Sequence, residues 1–523
     1  MKNIASKVLI SLILVLHLII RVVGLDKSPA SVNWDEASLG YNAYSLLVTG
    51  ADEFGKRWPL ALRSFDDYKP ALYSYLSMIP IKIWGLNQRS TRVVSAVAGT
   101  MSLIGLAGLI NIYIHHQMAS WLLCFLVGFG PVRLHFSRVA LETNLSMAFF
   151  TFGLFFWLKR QKIWSLVFWI LAFLSYHSAR IAVPFLMILA LIDPIKMIRV
   201  KNYNIKISKQ DRWLLIILAG CVGGLLYGGI SRFKAENLFS RYWPFTPRNL
   251  LGTDLVSQIR VSPLYYLSGI ILGHLFSYVS LANYGANIYH WIKYSVQFVP
   301  NLTFLGFWET LCLIPGLLIL SQKLNLYNYR FLLYAILATA IPTVVTWNWF
   351  HTLRAVNMLP ILEIVAVIGL INILKKLKIS YLVLVFLIIV GLGQIAYLTI
   401  NEIVYSPVEN YEEYQPGGFK EGVPLVKSLG GNYRQIIVDS KQANPYIFFL
   451  FYGQEDPRNL IEFKKKYIFR PIDWFRDKEL SKVILWQSAE IKIEEVEAVE
   501  GAKIYYVAGP TNDYYRAAII TLP

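Results

Sequence analysis

Two carboxylates stand side by side in Asn33-Trp34-Asp35-Glu36-Ala37, and a lysine follows further along in Asp66-Asp67-Tyr68-Lys69-Pro70. The stretch Asp26 to Asp67 holds seven of the fourteen Asp and Glu residues found in residues 1–400. A positioned carboxylate can take a proton from a hydroxyl, and a lysine beside it can hold a phosphate as a point charge. Acid–base chemistry next to an anionic group is the chemistry these residue types offer. Asn33 is placed to cap a helix that Trp34, Asp35 and Glu36 open. Neighbouring helical side chains point about 100° apart, so the two acids cannot serve one atom equally. One acts as base, Asp35 being the first choice and Glu36 the second; the other positions it or binds a hydroxyl. The bland alternative is that both merely complement the helix dipole, for about 0.3–1 kcal/mol each. Their clustering with Lys69 favours chemistry.

Further candidates lie elsewhere in the chain. Arg138 and Glu142 are four residues apart in His135-Phe136-Ser137-Arg138-Val139-Ala140-Leu141-Glu142. In a helix they would share a face, either pairing with each other or serving a site. His351 and Arg354 occur in Trp349-Phe350-His351-Thr352-Leu353-Arg354, where Arg354 is a candidate for phosphate. Glu309 and Glu363 fall inside apolar segments, where ionisable groups are costly and therefore functional candidates. His115-His116 reads as a plain loop, and Cys124, Cys221 and Cys312 show no metal or disulfide spacing.

The elements that must position these residues are mostly membrane spans. The chain has 523 residues, 56% hydrophobic and only 16% charged, far from the quarter charged of soluble domains. Apolar runs long enough to cross a hydrocarbon core of about 30 Å recur to residue 400. Spans are expected near 8–25, 91–114, 118–134, 143–158, 163–178, 181–193, 213–230, 304–320, 331–347, 356–373 and 380–400. Residues 71–84, broken by Pro80, suit an interfacial helix that Pro70 would open. The stretch 263–303 leaves the span count open. No small-residue cleavage site follows the first apolar run, so it is expected to stay as a span.

The net charge of +18 is unevenly spread: residues 1–400 carry 35 basic and 14 acidic residues, and the last 123 carry 15 and 18. The basic excess sits largely in short links such as Lys159-Arg160-Gln161-Lys162, as the positive-inside rule requires. It reads as a topology signal, with anionic lipid as a secondary partner, and not as a nucleic-acid surface. An odd number of spans with the N-terminus in the cytoplasm puts loop 26–90 and residues 401–523 outside. From Asn401 the composition becomes that of a soluble α/β domain, with a helix near 418–429, a strand at Gln435–Val438, a helix near 443–452 and strands at 482–486 and 503–508. The fold class expected is a polytopic α-helical membrane protein of about eleven transmembrane helices with a small extracytoplasmic α/β domain.

Trp34-Asp35-Glu36-Ala37 after the first span, Tyr68-Lys69-Pro70-Ala71-Leu72, and His351-Thr352-Leu353-Arg354 together resemble the family-39-type glycosyltransferases. That group takes in the protein O-mannosyltransferases and the aminoarabinose lipid A transferases, integral membrane enzymes of the GT-C fold. The likeness in topology covers residues 1–400. This chain reads Lys-Pro-Ala-Leu where relatives often have a second proline. The resemblance implies a polyprenyl-phosphate-linked sugar donor, an extracytoplasmic acceptor (protein, lipid or cell-envelope glycan) and an outward-facing site. It implies Asp35 as the loop carboxylate and Lys69 as the donor-phosphate residue. Arg138 and Arg354 are further phosphate candidates, with Glu142, His351 and Tyr68 in support. Transfer would invert the anomeric centre, and no metal or other cofactor is required where lysine and arginine neutralise the phosphate. The alternatives are a transporter or flippase of lipid-linked sugars, disfavoured because no internal repeat is evident, and a non-catalytic glycan-assembly protein.

Overall fold

A computed structural model describes residues 2–65, 67–199, 304–344, 352–376, 419–429, 435–439, 444–470, 482–486, 494–497 and 516–521, with scattered helical positions in 212–223 and 392–400. The expected spans at 213–230 and 380–400 lie largely outside these residues. The stretch 231–303, the strand at 503–508, Asp66 and His351 lie wholly outside them.

The first half is a series of helices: α1 (Lys2–Val22), α2 (Trp34–Thr49), α3 (Leu72–Trp84), α4 (Gln88–Ile114), α5 (Gln117–Val127), α6 (Pro131–Phe136), α7 (Glu142–Leu158), α8 (Lys162–Ser175), α9 (His177–Ile192) and α10 (Pro194–Arg199). After the gap come α11 (Phe307–Gln322), α12 (Tyr327–Val344), α13 (Thr352–Ala355), a 3-10 turn (Val356–Met358) and α14 (Leu359–Lys376). Among the described residues, Gln88–Ile114, His177–Arg199 and Thr352–Lys376 are long and apolar enough to cross a bilayer. Leu12, Leu122, Ile163 and Leu311 project outward from their helices and are largely exposed; such faces suit lipid, where only the backbone needs its hydrogen bonds closed internally.

Local sequence explains the breaks. Asn33 and Glu36 form a reciprocal capping box at the start of α2, and Gly50 closes it at φ 70°, a left-handed conformation that glycine adopts at no steric cost. The expected span 118–134 is two helices, because the chain turns at Gly128–Gly130 and Pro131 opens α6. Gly316 and Gly369 let α11 and α14 touch: a Cβ at Gly316 would stand 2.0 Å from the Val365 carbonyl oxygen, and one at Gly369 2.0 Å from that of Cys312. Small residues at such crossings replace hydrophobic driving force with close backbone packing.

Two features of the outer loop differ from expectation. Residues 61–70 form a hairpin, β1 (Ala61–Ser64) antiparallel to β2 (Asp67–Pro70), with Leu62 opposite Lys69. Pro70 therefore ends a strand, paired with Ala61, and does not open the interfacial helix; α3 begins at Leu72, past Ala71. Edge strands tolerate proline because its missing N–H faces away from the ladder.

Beyond residue 418 the described elements are α15 (Phe419–Leu429), β3 (Gln435–Asp439), α16 (Pro445–Tyr452), α17 (Leu460–Lys466), β4 (Tyr467–Arg470), β5 (Lys482–Trp486), β6 (Glu494–Glu497) and β7 (Arg516–Thr521). The strands form one sheet in the order β4-β3-β7-β5-β6. Only β3 and β4 run parallel; the other pairs are antiparallel. The helices do not keep their core to themselves. Phe419, Val423, Ile447 and Phe448 are buried in one cluster with Val32, Ala37, Tyr41, Ile81 and Leu86 from the first outer loop.

Candidate active site

Asp35 is the second residue of α2 and its side chain is 37% exposed. It forms an ion pair with Lys69, which the hairpin delivers from β2 almost buried. The hairpin matters here: pairing Leu62 with Lys69 fixes the strand face from which the lysine reaches across to the helix N-terminus. An exposed carboxylate against a sheltered cation is an arrangement open to a ligand from the solvent side.

Glu36 has the opposite environment. It is fully buried, and its carboxylate accepts from Arg92 Nε at 2.8 Å, Arg92 Nη2 at 3.0 Å, the Ala140 amide at 2.7 Å and the Asn33 amide at 3.1 Å. These four hydrogen bonds occupy its carboxylate and tie the start of α2 to α4 and to Ala140. The two acids divide as helix geometry requires, one outward and one inward.

Arg138 is turned to backbone. Its guanidinium is buried against backbone carbonyls at the end of α1: Nη1 donates to Ile20 at 2.6 Å and Val23 at 2.8 Å, and Nη2 to Ser28 at 3.1 Å and Gly24 at 3.3 Å. A cation there answers the carbonyls that a helix C-terminus leaves unpaired. Nor do Arg138 and Glu142 share a helical face, because α6 stops at Phe136 and α7 starts at Glu142. Glu142 is buried in the first turn of α7.

Tyr68 contributes its backbone: its carbonyl lies 2.9 Å from His177 Nε2, and Arg180 Nη1 lies 3.1 Å from His177 Nδ1. With Arg180 as the donor to Nδ1, the imidazole carries its hydrogen on Nε2 and donates it to Tyr68. The turn between α8 and α9 thus supports the strand bearing Lys69. One residue on, Ser178 Oγ accepts from Asn357 Nδ2 at 3.0 Å, which brings the 352–358 segment to the same end of α9. Arg354, on that segment, has Nη1 buried with no hydrogen-bond partner, as does Asn357 Oδ1. An unpaired buried guanidinium nitrogen calls for an acceptor.

Other acids of the first loop and the apolar helices are held by local partners. Asp52 Oδ1 accepts from the amides of Phe54 at 3.0 Å and Lys56 at 2.8 Å, closing a turn. Glu53 is buried beside α2, hydrogen-bonded to Asn42 Nδ2 at 3.1 Å, and burial pushes its carboxyl up to about 8. Glu363 makes a bidentate pair with Arg133 at 2.5 and 2.6 Å, and Glu309 Oε2 accepts from the Gly306 amide at the start of its own helix. His116 caps α5 through Nδ1. No group of three or more His, Cys, Asp or Glu side chains able to hold a metal occurs among the described residues.

Sequence reasoning passed over Arg92, Arg133, His177, Asn357 and Tyr452. Arg92 carried a usable signal, since an arginine within an apolar helix demands a partner. Tyr452 carried none, because its partners, Ser31 and Val32, are some 420 residues away in the chain.

Solved structures show the same overall fold as this chain. ArnT from Cupriavidus metallidurans in the apo state matches with a TM-score of 0.56 at 11% identity, covering 99% of this chain and 98% of ArnT. The same protein bound to undecaprenyl phosphate matches at 0.55 and 12%, covering 98% and 97%. The archaeal oligosaccharyltransferase AglB from Archaeoglobus fulgidus, in complex with an inhibitory peptide and a dolichol-phosphate, matches at 0.48 and 13%, covering 95% and 75%. At these identities the likeness is one of fold. No family model matches the chain, and no curated protein does.

Proposed function

We propose that the protein is a membrane glycosyltransferase that moves a sugar from a polyprenyl-phosphate-linked donor to an extracytoplasmic acceptor. The observation that carries this reading is the Asp35–Lys69 pair, set at the first outer loop of a GT-C fold whose solved neighbour binds undecaprenyl phosphate. Eleven spans, a cytoplasmic N-terminus and a soluble domain at 401–523 outside complete the topology.

In the free protein Lys69 and Asp35 satisfy each other. A donor phosphate gives Lys69 a second anion, and Arg354 supplies the other cation through its unpaired Nη1. Asp35 then takes the proton of the acceptor hydroxyl as that oxygen attacks the anomeric carbon. The bond from that carbon to the phosphate oxygen breaks, its electron pair stays on the lipid phosphate, and Lys69 and Arg354 balance the growing charge. A single displacement inverts the anomeric centre.

The test supplies purified protein with a panel of undecaprenyl-phosphate hexoses and pentoses and candidate acceptors, beside Asp35→Asn and Lys69→Ala. Wild type consumes one of the donors, and Asp35→Asn stays folded without turnover. Full turnover in Asp35→Asn refutes the base assignment, and lipid movement across vesicles with no sugar transfer refutes the transferase reading.

A further inference from the structure

The backbone leading into α2 is gripped from two sides. From the membrane side, Arg92 Nη1 donates to the carbonyls of Leu25 at 2.9 Å and Pro29 at 2.7 Å, Gln88 reaches that of Ala30 at 3.2 Å, and Arg138 takes that of Ser28. From the soluble side, Lys420 Nζ donates to the carbonyls of Asp26 and Ala30, each at 3.1 Å. Tyr452, the last residue of α16, reaches furthest. Its hydroxyl accepts from the Val32 amide at 3.0 Å and shares a 2.5 Å bond with the Ser31 hydroxyl. Val32 immediately precedes Asn33, the cap of the helix on which Asp35 is the second residue.

We propose that Tyr452 is a positioning residue for the transfer reaction: its hydroxyl, carried by the C-terminal domain, sets the backbone at Ser31–Val32 and so the aim of Asp35. This rests on Asp35 being the base. The soluble domain is then a working part of the catalytic loop and not a separate module. Three further observations support the coupling. Tyr41 of α2 donates to the Glu455 carbonyl at 3.0 Å, and Gln454 to the Leu86 carbonyl at 3.1 Å. Phe448 and Phe419 stack at 4.7 Å within the core that also contains Val32 and Ala37. Burial holds the Tyr452 phenol well above its ordinary range, so its hydroxyl keeps its proton at working pH. Small displacements of a reacting group are costly: about 1 Å can lower a rate by about 100-fold.

The test is Tyr452→Phe, which keeps the ring and removes only the hydroxyl, with Lys420→Gln as a second variant on the same loop. Hydrogen exchange of the protein in detergent micelles, with no substrate present, should speed at residues 28–37 by about tenfold or more. Binding of undecaprenyl phosphate alone, read by intrinsic fluorescence, should stay within about twofold. With the donor that wild type consumes, kcat should fall by about tenfold or more while KM stays within about twofold. Ser31→Ala added to Tyr452→Phe should cost less than it does alone, since the pair acts through one bond. Lys465→Ala, which breaks an exposed pair with Glu462 in the same domain, should change nothing. Unchanged exchange at 28–37 overturns the proposal, and so does faster exchange with turnover kept. If wild type consumes no donor, the transferase reading fails, while the exchange result still decides whether Tyr452 holds the loop.

Discussion

Replacing each of two adjacent carboxylates by its own amide should have opposite effects. Glu36→Gln keeps one accepting oxygen and puts an NH2 group in place of the other, so a donor meets either Arg92 Nε and the Ala140 amide or Arg92 Nη2 and the Asn33 amide in a fully buried site. Arg92 keeps its carbonyl partners at Leu25 and Pro29 but loses the charge that offsets its own. Breaking a buried ion pair from one side costs about 3–5 kcal/mol. Asp35→Asn is milder: the side chain is 37% exposed and an amide oxygen can still accept from Lys69. With the carboxylate open to solvent and one acceptor kept for the near-buried Lys69, the loss is smaller than for the fully buried pair. Catalysis should follow the reverse order, since losing a general base costs about 10²–10⁴-fold. Thermal unfolding of both variants in one detergent, with donor turnover measured well below the melting range, separates the effects. Glu36→Gln should melt clearly lower and retain turnover while folded; Asp35→Asn should melt near wild type and be inactive. A Glu36→Gln protein as stable as wild type, or an active Asp35→Asn, would refute this division of roles.

Other outcomes follow from the same geometry. Lys69→Ala and Arg354→Ala should each weaken binding of undecaprenyl phosphate by about 10- to 150-fold, as loss of a charge-assisted contact of about 1.5–3 kcal/mol implies; titration by intrinsic fluorescence checks both, and Arg138→Gln should lower stability without a selective loss of affinity. Glu53 holds its proton more tightly folded than unfolded, with a carboxyl at about 8 against an ordinary 4.5. Its contribution is therefore full below the ordinary value and lost as pH rises through about 8, by up to roughly 4–5 kcal/mol. Glu53→Gln should flatten that decline in a melting series from pH 5 to 9. Gly316→Ala should push α11 from α14, because the added carbon meets the Val365 carbonyl at 2.0 Å; a drop in melting temperature and separation of the two helices in paired-label distance measurements are the expected readouts.

Much of the architecture was legible because its signals are local. Apolar runs marked α4, α7, α8, α9, α11 and α14 to within a few residues, since a helix in lipid must close its own hydrogen bonds. Asn33, read as a cap, marked the start of α2, because a helix start leaves amides for a side chain to satisfy. What failed depended on partners distant in sequence. The i,i+4 spacing of Arg138 and Glu142 presupposed a helix, but the chain unwinds after Phe136 and the arginine turns to the end of α1. Lys69 was picked out by its neighbours, yet the hairpin that presents it was read as loop, because a two-stranded ribbon of four residues a side leaves little periodicity to see.

By itself, the sequence determined that this is a membrane protein with a carboxylate and a lysine in the loop after its first apolar helix, since composition and spacing express the cost of burying charge in lipid. The tertiary structure decided which carboxylate faces solvent and which is locked on Arg92, and that Arg138 is turned to backbone. It also decided that Tyr452 touches the loop that leads into α2. Those assignments turn on contacts made by folding together segments dozens to hundreds of residues apart, and no local pattern encodes them.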